Sequence, residues 1–212
     1  LTVLIDLGEE NVGSAQLFVP ECVKYGELQK DKHKLIDPKD LQKTVIFDLI
    51  AGNTDRHDGN LLCQKVGETY RLFVIDHDQC FQEPSIKGKS LSFCYENLDV
   101  LRQQEFLPDI ASLISEEAEE IYEQKMKSAS IDEAQIIEED QYVDMGYGSG
   151  YGFGEQEMNT SHKIEWMKLV LAKTRKAVKE GETPAELIKN VAKAWENKLN
   201  RVVDDDDYED DY

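Results

Sequence analysis

Asp55 and Asn60 stand five positions apart in the run GNTDRHDGNLL (residues 52–62), and Asp76 closes the later apolar run LFVI (residues 72–75). Two carboxylates and an amide offer oxygen and little else. That set suits a divalent cation such as Mg²⁺ and a carboxylate placed beside an acceptor hydroxyl, the two requirements of phosphoryl transfer from ATP. Each residue alone would as readily make the hydrogen bonds of an ordinary turn after a helix. The order Asp-x4-Asn, hairpin, Asp is far more specific than any one of its members.

Elements on either side must position these residues. Asp37-Pro38 opens a helix, with Asp as the cap and Pro in the first turn. Leu41, Val45, Ile46, Leu49 and Ile50 then recur at three- and four-residue spacing, so the helix should end near Ala51-Gly52. Leu61–Gln64 and Tyr70–Ile75 read as short strands around a turn containing Gly67, a β-hairpin. One polar cluster precedes the first strand and the other follows the second. Hairpin geometry therefore brings Asp55, Asn60 and Asp76 to one end. Arg56 is expected to pair with a nearby carboxylate and His57 to structure the loop. Asp78 serves either as a third metal contact or as a turn cap.

The rest of the chain supplies a frame. Leu1–Leu7 and Val12–Val19 suggest a hairpin across the turn GEEN. Ser92–Ile114, Glu116–Lys127, Ile164–Lys179 and Pro184–Leu199 read as helices, with Trp166 and Trp195 in the core. Residues 144–154 are a Gly/Tyr-rich low-complexity loop.

At this point the pattern resembles the catalytic and metal-binding loops of the HipA-like and phosphatidylinositol 3-/4-kinase-like branch of the kinase superfamily. NTDRHDGNLL and VIDHDQCF carry the resemblance, and VGSAQLFVPE is similar to the strand that leads into the hinge. The resemblance implies an α+β kinase C-lobe: mostly helical, with a short β-hairpin and an N-terminal strand pair. Residues 1–25 would be the end of the N-lobe and the hinge, 26–200 the C-lobe and 201–212 a disordered acidic tail. It further implies that Asp55 is the catalytic aspartate and that Asn60 and Asp76 bind Mg²⁺. Gln16, Leu17, Phe18 and Val19 would border the adenine of ATP, and Leu62 and Ile75 would lie beneath it. Only Leu1–Asn11 precedes Val12, and it holds no Lys. A phosphate-covering lobe is therefore expected from an upstream segment or a partner chain.

Charge narrows the acceptor. The net charge is −20. Residues 116–144 carry eleven Asp/Glu against two Lys, and 204–212 add seven acidic residues with no cation, so the acidity is concentrated in two segments. Nucleic acid as a direct partner is excluded on this basis, because phosphate contacts need clustered Lys/Arg. No apolar run approaches the ~20 residues of a membrane span. Four cysteines without C-x-x-C spacing suit free thiols of a reducing, cytoplasmic compartment. A protein Ser/Thr acceptor is favoured over an inositol lipid for want of a basic or amphipathic membrane patch. Two alternatives stay open: a catalytically impaired kinase-like binding module, and a metal-dependent phosphohydrolase built on the His57-Asp58 and His77-Asp78 pairs.

Overall fold

A computed structural model of the chain describes residues 2–6, 12–16, 18–77, 79–82, 91–140 and 158–206, with backbone alone for 2–6, 12–16, 130–140 and 198–206. The architecture is mixed and mostly helical. Strands β1 (Thr2–Asp6) and β2 (Val12–Gln16) form an antiparallel pair in the register Thr2↔Gln16 to Asp6↔Val12. β3 (Cys22–Lys24), β4 (Leu61–Val66) and β5 (Thr69–Val74) form a three-stranded antiparallel sheet in that order. The expected hairpin is β4–β5, closed at Gly67, whose φ of 61° suits a residue without Cβ. β3 is an addition. β2 stops at Gln16, and beyond Pro20 the chain resumes pairing, now against β4.

Helix α1 (Pro38–Ile50) is the central support. Asp37 caps it by accepting the Lys39 N–H at 2.9 Å. Leu41, Val45 and Leu49 are fully buried at four-residue spacing. The helix is tied to the sheet on its first turn: Asp40 accepts from the Arg71 side chain and from Leu72 N–H, and Asp37 N–H bonds Tyr70 O at 2.8 Å. Its last turn is sealed from the other side by helices α4 (Thr160–Glu180) and α5 (Pro184–Asp206). Trp166 Nε1 donates to Leu49 O at 2.9 Å, and the Trp166 and Trp195 rings meet edge to face at 4.7 Å. Gly52 then turns the chain with φ 54°, and a Cβ there would sit 3.0 Å from the Trp195 ring. Both the backbone angle and the indole demand glycine at this point.

Residues 92–114 depart from expectation. In place of one helix there is a turn, the short helix α2 (Asp99–Gln103) and a 3-10 segment, Pro108–Leu113. Leu91, Phe93 and Tyr95 are buried at two-residue spacing, the period of extended chain, and Pro108 cannot sit inside a helix. Helix α3 (Glu116–Asp140) is longer than expected and is joined to α4 by the Glu119–Arg175 pair at 2.7 Å and the Glu123–Lys168 pair at 2.6 Å. Helix α5 runs to Asp206, into the acidic run. The low-complexity stretch 144–154 lies outside the described residues. All four cysteines are free, and no described helix is long and apolar enough to cross a membrane.

Candidate active site

The two polar clusters meet at the open end of the β4–β5 hairpin. Leu61 pairs with Val74, and one step further Ile75 N–H bonds Asn60 O at 3.1 Å. Asn60 and Ile75 are therefore cross-strand neighbours, and Asp76 follows immediately. Asp76 has φ 58°, the left-handed region that only Gly, Asn and Asp visit readily. Strain of this kind concentrates at functional sites.

Within the loop the side chains are fixed in sequence. Asn53 is buried; its Nδ2 donates to Asp48 Oδ1 at 3.0 Å, and its Oδ1 accepts the Asp55 N–H at 3.0 Å. Asn60, also buried, donates through Nδ2 to Asp55 O at 3.1 Å. The backbone of Asp55 is thus held from both sides while its carboxylate stays about half exposed. Asn60 keeps its Oδ1 for another partner. His57 Nδ1 accepts Gly59 N–H at 2.9 Å, so His57 braces the 3-10 turn Asp58–Asn60. Its Nε2 lies 4.0 Å from the Asp55 carboxylate, beyond hydrogen-bond reach.

Arg56 is the hinge pin of the arrangement. Its side chain is fully buried. Nε and Nη2 hold the Asp48 carboxylate at 3.0–3.1 Å, Nη1 donates to Asn60 O at 3.0 Å and to Ile75 O at 2.7 Å, and Nη2 reaches His77 Nδ1 at 3.1 Å. One guanidinium therefore ties the end of α1, the loop carrying Asn60 and the segment carrying Asp76. Only a planar fork with five donors can satisfy all of these at once. Tyr95 completes the site by donating its hydroxyl to Asp48 Oδ2 at 2.6 Å. Burial, reinforced by Asp48, raises the Tyr95 phenol well above its usual range, so it stays a donor. Burial first, then Arg56, lowers the His77 imidazole, which keeps Nδ1 an acceptor for Arg56.

The sequence anticipated that Arg56 would find a carboxylate and that His57 would order the loop. It missed Asp48, Asn53 and Tyr95. Asp48 was legible as a carboxylate on the buried stripe of α1, where it must have a cation. Tyr95 was hidden by the helical reading of residues 92–114.

The residues expected to border a nucleotide fall into two groups. Leu62 and Phe73 face each other across the β4–β5 register, and Ile75 lies two positions beyond Phe73 on the same face. All three are half-buried, whereas Cys63 and Leu72 of the opposite face are buried in the core. Phe73 is an apolar member of this surface that strand alternation from Ile75 points to. The hinge-like segment is described only in part: Phe18 is 83% exposed, Val19 half-buried, Leu17 and the Gln16 side chain lie outside the described residues. The segment after it is anchored to the sheet by Gln64 Nε2, which donates to Pro20 O at 3.0 Å. Asp78 also lies outside the described residues. Among those described, no group of three His, Cys, Asp or Glu side chains is placed to hold a metal.

On the far side of the loop, a cleft of about 490 Å³ opens between the segment Tyr25–His33, the loop Thr54–Asp58 and Ser92–Cys94. Asp55 and Asp58 lie in it. Burial pushes the Cys94 thiol up to about 12, so it is no nucleophile there.

A family model described as phosphatidylinositol 3- and 4-kinase matches residues 8–147. The chain is also similar to a protein of Oryza sativa subsp. japonica, phosphatidylinositol 4-kinase gamma 4, with 38% identity over 77 residues. That match takes in 36% of the chain and 13% of the rice protein, so most of the relative has no counterpart in it.

Proposed function

The chain belongs to the phosphatidylinositol 3- and 4-kinase family, a family of phosphotransferases, and on that premise we propose that its two loops transfer the terminal phosphate of ATP to a hydroxyl of an inositol phospholipid headgroup. The observation that carries this reading is the Arg56 bridge between Asn60 O and Ile75 O. It holds the two oxygen-bearing loops in one fixed relation, as a site that must align a charged donor and an acceptor requires.

Asp55 is the catalytic aspartate in this proposal. Its carboxylate accepts the proton of the acceptor hydroxyl as the hydroxyl oxygen bonds to the γ-phosphorus and the bond to the β–γ bridging oxygen breaks, leaving ADP. The carboxylate is free for this because both bonds that orient the residue use its backbone. Leu62, Phe73 and Ile75 give the adenine an apolar floor, and residues 16–19 would border it. Mg²⁺ fits the donors present: Asn60 Oδ1 and the Asp76 carboxylate are the hard oxygens that it prefers. When bound, it would neutralise the phosphate charge. Asn60 and Asp76 would hold it.

Vesicles of phosphatidylcholine containing phosphatidylinositol, labelled ATP and Mg²⁺ test the proposal. The protein should label the lipid, and Asp55→Asn should lower kcat by ~10²–10⁴-fold with little change in the KM for ATP. Label transferred to a serine or threonine peptide but not to the lipid would overturn the headgroup assignment. An Asp55→Asn variant of undiminished rate would overturn the catalytic one.

A further inference from the structure

A cavity of about 810 Å³ opens between α1, the segment that follows Asp76, and α3. Phe47 and Ile50 line it from α1, His77 and Phe81 from the segment, and Tyr122 and Met126 from α3. The surface is mostly apolar, and Phe47 is 40% exposed on it, with its ring edge-on to His77 at 5.0 Å. The other charged side chains along it are Lys43 and Lys125, both exposed, and no carboxylate lines it. In a chain of net charge −20 this is a locally basic groove. Its volume lies within the ~300–1,000 Å³ typical of sites that hold a ligand. It also adjoins the Arg56 network, because His77 Nδ1 accepts from Arg56 Nη2 at 3.1 Å.

Chain connectivity points to an occupant. Met158 is buried, and its N–H bonds Phe81 O at 2.7 Å, on the wall of the groove. Residues 141–157 lie outside the described residues and lead directly into Met158. They carry Tyr142, Tyr147, Tyr151 and Phe153 among glycines, with Asp144, Glu155 and Glu157 and no cation. Aromatic rings suit an apolar floor, and an anionic segment suits two lysines. The five steps from Phe153 to Met158 span at most ~17 Å, so that ring is kept near Phe81 whatever path the chain takes. At the other end, α3 runs ~21 Å from Met126 to Asp140. The eighteen steps from Asp140 to Met158 can span ~60 Å, which leaves ample slack to lie back along the groove. The other stretches outside the described residues fit less well. Residues 83–90 carry two Lys against one Glu and Ile86 as their one large apolar side chain. The end of the chain follows α5, which contributes nothing to the lining.

We propose that the Gly/Tyr-rich segment 141–157 docks in this groove within its own chain, with Tyr147, Tyr151 and Phe153 against Phe47, His77 and Phe81 and its carboxylates toward Lys43 and Lys125. The docking does not depend on which reaction the loops perform. It covers the exposed Phe47 ring and buttresses His77, the residue after Asp76. Tethering supplies the segment at an effective concentration of about 1 mM, so modest affinity is enough to keep the groove filled.

A fluorescent peptide of residues 141–157 tests this by competition. It is titrated into the wild-type chain, into the triple variant Tyr147→Ser/Tyr151→Ser/Phe153→Ser, and into the triple variant with Phe47→Ser added. The peptide should bind the triple variant about tenfold or more tightly than the wild type, whose own segment competes. Phe47→Ser should remove that binding, and Lys43→Gln with Lys125→Gln should weaken it, most clearly at low salt. Equal affinity for wild type and triple variant would overturn the proposal, as would binding that survives Phe47→Ser. Absence of binding to the triple variant at about 1 mM peptide would overturn it too, since the tether offers no more than that. A second measurement needs no loss of aromatic rings. With Phe153 replaced by p-benzoylphenylalanine in the otherwise unchanged chain, illumination should cross-link position 153 to residues 43–51, 77–82 or 113–126 of the same chain. Cross-links confined to other elements would refute the docking, and cross-links to a second copy would give the groove to that copy instead.

Discussion

Asp48 and Arg56 lie eight residues apart and meet as a fully buried pair, with the carboxylate gripped by Nε and Nη2 at 3.0–3.1 Å. A buried pair of this kind is a weak source of net stability but a strong constraint, because removing one partner strands the other without water. Here the constraint is directed. Arg56 Nη1 goes to the carbonyl of Asn60, itself a proposed metal ligand, and to that of Ile75, which precedes the other, Asp76.

Asp48→Ala should therefore cost about 3–5 kcal/mol of folding stability, read as a shift in the urea midpoint. Tyr95→Phe removes one bond to the same carboxylate and should cost less, about 1.5–3 kcal/mol. Arg56→Lys separates stability from function. A single ammonium keeps a charge beside Asp48 but cannot reach two carbonyls as well. Its turnover should fall more than its stability, and a variant of wild-type turnover would show that the bridge does not matter.

Asp76 should show the opposite split. At φ 58° an Asp side chain is tolerated at a cost, and a glycine is not strained there. Asp76→Gly is expected to keep or gain stability, by up to ~1 kcal/mol, while phosphotransfer is lost with the metal ligand. Asp76→Ala should lose both. Thermal midpoints and turnover of the two variants provide the check, and an active Asp76→Gly variant would remove Asp76 from the metal site.

His77 predicts a pH dependence with a definite sign. In the fold its imidazole is lowered by burial and by Arg56, whereas the unfolded chain takes up a proton near about 6.5. Acid therefore favours the unfolded state. The contribution of His77 is fully present above about pH 6.5 and declines as pH falls toward the lower folded-state value. Protonation also replaces the acceptor that Arg56 Nη2 uses. In His77→Asn, Oδ1 can take the place of Nδ1 and cannot be protonated. The thermal midpoint of the wild type should drop more between pH 7 and pH 5.5 than that of His77→Asn, and parallel curves would be evidence against the assignment.

The sequence by itself determined the local pieces. The cap Asp37-Pro38, the four-residue stripe of α1, the glycine at the hairpin turn and the two polar runs at its open end each follow from near neighbours, which is why they could be read without a fold. The spacing of Asp55, Asn60 and Asp76 on either side of a hairpin was enough to suggest their chemistry. What only the tertiary structure decided is what holds them. Tyr95 reaches Asp48 from 47 positions away and Trp166 seals Leu49 from 117 away, and no periodicity encodes such pairings. Residues 92–114 carry apolar spacing that serves a helix as well as an extended strip. The fold chose the strip, because Cys94 N–H bonds Arg56 O and Phe93 and Tyr95 bury beside the loop.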